Sequence, residues 1–230
     1  MSHPLQIAID GPVAAGKGDI ASRLAKKLGI TYIYTGAMYR ALALSCIEAG
    51  LRTKDTGGVI KKLQQIRIDL KPSVGTDASA CRVILNDIDV TDRVTKPDVA
   101  AGSSDVAVIP DVRRMMVSLQ QRMAEGKPVV MEGRDIGSVV LPNAQLKIYL
   151  TASLEERAKR RWLQWKRKGI DRTLEETIKD TKNRDEQDMT RATDPLVKLP
   201  DAWELDTTGM TQDDVVHTIV DSLKRRKLLS

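Results

Sequence analysis

The stretch LQIAIDGPVAAGKGD, residues 5 to 19, constrains the chain more than any other. An apolar run from Leu5 to Ile9 ends in Asp10, enters a loop bounded by Gly11 and Gly16, and continues through Lys17 into the helix-like DIASRLAKKLG. Strand, loop and helix in that order, with GxxxxGK spacing, have a mechanical meaning. Gly11 and Gly16 permit backbone angles that a side chain would forbid, so successive N–H groups turn inward around a phosphate. Lys17 adds a mobile positive charge, and the helix that follows aims its positive dipole end and its free N–H groups at the same anion. Gly11, Pro12, Val13, Ala14, Ala15, Gly16, Lys17, Gly18 and Asp19 are therefore read as a loop that cradles a nucleoside triphosphate.

One feature of the loop departs from the usual pattern. The Ser or Thr whose hydroxyl faces a magnesium ion is replaced by Gly18, and Asp19 follows it. Two readings stand side by side. Asp19 caps the helix or holds a metal-bound water, or its carboxylate repels the triphosphate and impairs binding or turnover.

At 230 residues and 41% hydrophobic, the chain is long enough for one large core, or a core and a small insert. No apolar stretch approaches the ~20 residues that span a bilayer, and the strand-like start carries no basic leader, so a cytoplasmic protein without a membrane partner is expected. Cys46 and Cys81 lie apart with no CxxC or Cys/His cluster, which argues against zinc and against a disulfide scaffold. The net charge of +6 points to anionic partners. Aromatic residues make up only 3% and Phe is absent, leaving few platforms for stacking bases, so phosphorylated small molecules fit better than nucleic acid.

Further along, Gly29 ends the first helix and a short strand, Thr31 to Tyr34, leads into TGAMYR. If that strand is parallel to the first, Thr35 and Arg40 share the carboxyl edge of the sheet with the phosphate loop. Residues 52 to 64 read as loop and short helix. Between 66 and 94, IRIDL, CRVILND and DIDVTD alternate apolar and polar positions around PSVGTDAS and an Asn-Asp turn, as a small antiparallel sheet does. Pro97 and Pro110 each suit a first helical position, giving helices over about 97–109 and 110–125. Val129 to Met131 reads as a buried strand ending in Glu132, Gly133, Arg134 and Asp135. Charges packed there beside a glycine make a poor core and a good site: the acid can orient hydrated magnesium and Arg134 can bridge phosphates.

LKIYL, 146 to 150, is a further parallel strand. Ser153 with Glu156, and Thr173 with Glu176, form capping boxes that open two helices, the first carrying the basic run ERAKRRWLQWKRKG. Joined by KGIDR, these helices resemble a mobile lid. A last strand, 202 to 205, and a helix over about 212–227 close the chain.

Four stretches, taken together, resemble the bacterial cytidylate kinases: DGPVAAGKG at 10–18, DVTD at 89–92, EGRDIGSVVLP at 132–142 and RDEQDMTRATDPL at 184–196, with TGAMYR between the first two. The resemblance implies an α/β P-loop fold in three layers, with a five-stranded parallel sheet, a small antiparallel insert in the acceptor-binding region and a helical lid. It divides the single domain into a core (1–50, 126–152, 200–230), an acceptor-binding region (about 51–125) and a lid (about 153–195). The implied reaction transfers the γ-phosphate of ATP, with Mg2+, to CMP or dCMP, most simply in a monomer. By motif, Arg40, Arg134 and Arg191 would hold the acceptor phosphate with Thr35 nearby. Arg184 and Asp188 would face its sugar, and Ser104, Arg113 and Asp135 the cytosine edge. Arg157 and Arg161 would close from the lid on the ATP phosphates, and with Lys17, Arg134 and Arg191 they make up the catalytic cations. Asp19 and Glu132 would reach the metal through water. Arg93 and Thr95 stand where the family usually has an acid and then an arginine. The rival readings are a kinase for another acceptor such as UMP or shikimate, and a non-catalytic nucleotide- or RNA-binding protein on the same scaffold.

Overall fold

The computed structural model describes residues 4–72, 81–167 and 169–229. Its main sheet is parallel and five-stranded: β1 (Gln6–Asp10), β2 (Thr31–Tyr34), β6 (Val129–Gly133), β7 (Leu146–Thr151) and β8 (Trp203–Asp206), in the spatial order β2-β6-β1-β7-β8. Period-two alternation divides the strands between two faces. From β1, Ile7 and Ile9 join Leu24, Val216, Ile219 and Leu223 of helices α1 (Lys17–Leu28) and α8 (Gln212–Arg225). Ala8 turns the other way, with Val129 and Met131 of β6, toward Ala124 of α5 (Pro110–Ala124). Helix, sheet and helix therefore form three layers, with the phosphate loop at the carboxyl end of the central strand.

Beside this core, α2 (Thr35–Glu48), α3 (Thr56–Gln65) and α4 (Pro97–Ala107) pack with α5 around a second apolar cluster that includes Met38, Leu42, Val59, Val106 and Met116. Pro97 and Pro110 open their helices as expected. The small sheet is antiparallel, β3 (Ile68–Pro72), β4 (Cys81–Leu85) and β5 (Ile88–Asp89), turned at Asn86 and Asp87, both left-handed at φ 49° and 66°. Its third strand is only two residues long, much shorter than the alternation suggested. Asp89 takes its own downstream backbone as partner, accepting from the amide and hydroxyl of Thr91 at 3.0 and 2.6 Å, which turns the chain out of the ladder. Most of the expected PSVGTDAS turn lies outside the described residues.

The lid helices are α6 (Leu154–Arg167) and α7 (Leu174–Thr190). Thr173 and Glu176 make the full capping box. Ser153 makes half of one: its hydroxyl accepts from Glu156 N at 3.2 Å, but its own N–H donates to Thr208, and the Glu156 carboxylate pairs with Arg160 instead. A helical turn of π type at Ile136–Val140 follows β6, an element with no counterpart in the sequence reading.

Candidate active site

Because β1, β2 and β6 run parallel, whatever follows each of them gathers at one edge. A cleft of about 1380 Å³ opens there, lined by the phosphate loop, the start of α2, the end of β6, α4 and both lid helices. Two left-handed residues, Ala14 at φ 59° and Gly16 at 87°, curl the loop. Lys17 is buried and folds back over it, donating to the carbonyls of Gly11 and Pro12 at 2.8 Å each. Burial, followed by the charge of Arg134, pushes its pKa down to about 7. Asp19 is exposed at the cleft wall, and among the described residues it makes no ion pair.

Three buried contacts fix the walls. The Asp10 carboxylate accepts from the amides of Ile136 and Gly137 at 2.8 and 2.7 Å, tying the segment after β6 to the strand that carries the loop. Thr35 Oγ1 donates to the Glu132 carbonyl at 2.7 Å and ties α2 to β6. Asp185 of α7 accepts from Val13 N at 2.9 Å and from Arg157 Nη1 at 2.6 Å, while Arg157 also donates to the carbonyls of Val13 and Ala152. Arg157, expected to close on phosphates, is thus occupied by three acceptors and does not line the cleft. It braces the loop from behind and pins the base of the lid.

Cations crowd the cleft itself. Arg184 is pushed down to about 10, by burial and then by the charges of Arg134 and Arg161; its Nε is buried without a hydrogen-bond partner among the described residues. Arg161 is lowered by burial and then by Arg40. Among the described residues, Asp188 is the one carboxylate in ion-pair contact with any of Arg40, Arg134, Arg161 and Arg184; it meets Arg134 Nε at 2.6 Å. Four guanidinium groups held this close, one with an unpaired donor, are built to be neutralised by an anion.

Deeper in the cleft, Arg113 is only 1% exposed and donates to Asp194 at 2.9 Å, to the Ala107 carbonyl and to Asp135. Arg191 donates to the Asp194 carbonyl and approaches Asp135 within 3.5 Å. Burial pushes the Asp135 carboxyl up, and Arg113 and Arg191 oppose that. Ser104 and Thr95 line the same wall. The expected acceptor residues therefore converge, with Arg191 nearer the Asp135 end than Arg134. Arg93, the other departure in the insert, is drawn aside into an ion pair with Glu48.

Asp10, Asp185 and Asp194 were missed as positioning residues. All three lie inside quoted motifs, and an acid at a strand end before a glycine loop was a signal that could have found the first.

A parallel sheet with a lysine-bearing glycine loop on its central strand, facing a cluster of arginines, defines a P-loop phosphotransferase. The match to a family model places it more narrowly: residues 7–225 fit the cytidylate kinase family, and the chain belongs to that family. It is 42% identical over 221 residues to a cytidylate kinase of Caldanaerobacter subterraneus subsp. tengcongensis, spanning 96% of this chain and 95% of that one. With a cytidylate kinase of Limosilactobacillus reuteri it shares 45% over 226 residues, 98% of this chain and 97% of the relative. Among solved structures, an uncharacterized protein from Eubacterium ventriosum ATCC 27560 superposes with a TM-score of 0.52 at 14% identity, covering 96% of this chain and 98% of that one, a likeness of fold alone.

Proposed function

We propose that the chain transfers the γ-phosphoryl group of ATP to CMP and dCMP, giving ADP and CDP or dCDP, in cytoplasmic pyrimidine nucleotide metabolism. The observation that carries the reading is the arginine cluster opposite the phosphate loop, which suits two polyanions held end to end. A phosphate oxygen of the monophosphate attacks the γ-phosphorus and the bond to the bridging β,γ-oxygen breaks. The second pKa of a phosphate monoester is about 6, so the nucleophile is already dianionic at pH 7 and no general base is required. What the protein must supply is charge neutralisation, alignment and exclusion of water.

Lys17 and Arg161 take the donor phosphates, and Arg40 and Arg134 the acceptor phosphate. Arg184, expected at the acceptor sugar, joins them in this reading because burial and the charges of Arg134 and Arg161 set it in the same cationic cluster. Arg191, expected on that phosphate, is drawn instead toward Asp194 and Asp135. Asp188 orients Arg134 and lies beside the acceptor sugar. Arg113, Asp135 and Ser104 meet the cytosine edge, whose amino group is a donor suited to the Asp135 carboxylate; Arg191 supports that carboxylate. In this reading the core, acceptor region and lid divide the chain as the sequence suggested, and a single copy contains the whole site.

The residues present fit magnesium, since Mg2+ keeps most of its water and is bound through substrate phosphates and one or two carboxylates rather than an all-protein cage. No group of three or more His, Cys, Asp or Glu side chains gathers among the described residues, while exposed Asp19 and buried Glu132 flank the loop. When bound, the ion neutralises charge on the β- and γ-phosphates.

The test is ADP release with ATP and magnesium against CMP, dCMP, UMP, AMP and GMP, for the parent and Asp19→Thr. Turnover is expected with the two cytidine nucleotides. Because one exposed carboxylate that reaches the metal only through water is worth under ~1 kcal/mol, and a threonine hydroxyl can hold the same water, the variant should keep KM for ATP within roughly threefold of the parent. Preference for UMP would overturn the substrate, and silence of both proteins would overturn the reaction in favour of nucleotide or RNA binding without catalysis.

Lys17 gives a second expectation. With its pKa near 7 before nucleotide binds, the Lys17 side chain is mostly the neutral amine at pH 8. A triphosphate raises that pKa toward its ordinary value, so ATP binding takes up close to one proton at pH 8 and almost none from this group at pH 6. Calorimetry in buffers of different ionisation enthalpy measures the difference, and equal uptake at both pH values would contradict it.

A further inference from the structure

Two arginines one turn apart on α6 have opposite fates. Arg157 is locked by the Asp185 carboxylate at 2.6 Å. Arg161 lines the cleft, and among the described residues it has no carboxylate in ion-pair contact. Its guanidinium lies instead against the indole of Trp165, 4.6 Å from the ring centroid and one turn further along.

That indole is held in its turn. Arg172, from the connection between α6 and α7, approaches the same ring at 5.3 Å. Arg172 is tied to Asp180 of α7 at 2.7 Å, and its carbonyl accepts from Trp162 Nε1 at 2.8 Å. The ring is therefore fixed to both helices of the lid, while Arg161, among the described residues, is held by the ring and by no carboxylate.

The choice of partner matters physically. A carboxylate would neutralise Arg161 and would have to be displaced before phosphate could be bound, a step made harder by burial. An aromatic face attracts a cation weakly and leaves its charge and all its N–H donors available. It orients the side chain without using it up, removing rotamer freedom that a long arginine would otherwise lose on meeting its ligand.

We propose that Trp165 is a positioning residue: its indole, clamped by Arg172, parks Arg161 over the cleft as an un-neutralised cation ready for the phosphates of the donor nucleotide. The inference rests on the reading of Arg161 as a phosphate contact, and the test separates the two.

Steady-state kinetics on Trp165→Leu, Trp165→Phe, Arg161→Ala and the double variant Arg161→Ala/Trp165→Leu supply that test. Trp165→Leu is expected to lower kcat roughly tenfold, the scale of one cation–π contact, with KM for CMP within about twofold of the parent. Phenylalanine, which keeps a π-face, should recover most of the loss. In the Arg161→Ala background Trp165→Leu should change nothing further. An undiminished loss in that background, or a phenylalanine no better than leucine, would overturn the positioning role while leaving Arg161 in place. Parental turnover of Arg161→Ala itself would overturn both.

Discussion

Arg134→Ala is expected to lower kcat by about a thousandfold or more while the protein stays folded, the scale on which a single arginine stabilises a transferring phosphoryl group. The fold should survive because the partner left behind is not stranded. Asp188 loses its 2.6 Å contact with Arg134, yet Arg191 remains 4.0 Å away and Arg184 lends further positive charge. Position explains the size of the kinetic effect. Arg134 follows β6 directly, the strand beside β1, so its guanidinium is fixed relative to the phosphate loop by sheet register and by the Asp10 bonds to Ile136 and Gly137. A cation delivered that rigidly requires no reorganisation when charge shifts between donor and acceptor. Lysine at 134 should recover little, since it offers a point charge where a planar fork both bridges oxygens and meets Asp188. Turnover of Arg134→Ala within twofold of the parent, measured as ADP release, would remove Arg134 from the mechanism.

The parts of this site that were legible in the sequence are those written in consecutive residues. GxxxxGK between an apolar run and an amphipathic helix specified strand, loop and helix together, and TGAMYR and EGRD each follow a strand, so parallel pairing alone brought them to one edge. The stretches that misled were those where a local side chain competes with the regular element. Asp89 bonded to Thr91 shortened a strand, and Ser153 gave its amide to Thr208 rather than completing a capping box. Least legible were the braces between distant segments. Val13 and Asp185 are 172 positions apart, Asp10 and Ile136 are 126 apart, and nothing in spacing or periodicity links such pairs. Arg157 shows the consequence: a basic helix residue reads as a phosphate ligand until Asp185 is seen against it, because composition reports charge and not the partner that neutralises it. Arg161, one turn on, has the same sequence character and the opposite role in space.

The two glycines that bound the phosphate loop, Gly11 and Gly16, should respond very differently to alanine. At Gly11, with φ +152°, an added Cβ would lie 2.0 Å from the Leu150 carbonyl oxygen, which belongs to the backbone of β7. Neither side can yield cheaply: β7 is hydrogen-bonded between β1 and β8, and the loop is anchored through Lys17, Arg157 and Asp185. At Gly16 the φ of +87° is the milder left-handed helical conformation, and nothing lies within 4 Å of the added atom. Gly16→Ala therefore meets only the left-handed backbone penalty, about 1–2 kcal/mol. Gly11→Ala meets that class of strain and an overlap as well, and is expected to cost at least ~3 kcal/mol or to lift the loop off β7. Either route disorders the cradle, so nucleotide affinity should fall more than about a hundredfold, a change worth ~2.7 kcal/mol. Denaturant unfolding with ATP titration on both variants separates the cases. If Gly11→Ala were as stable as Gly16→Ala and bound ATP as well, close approach to β7 would not be what requires a glycine at the start of the loop.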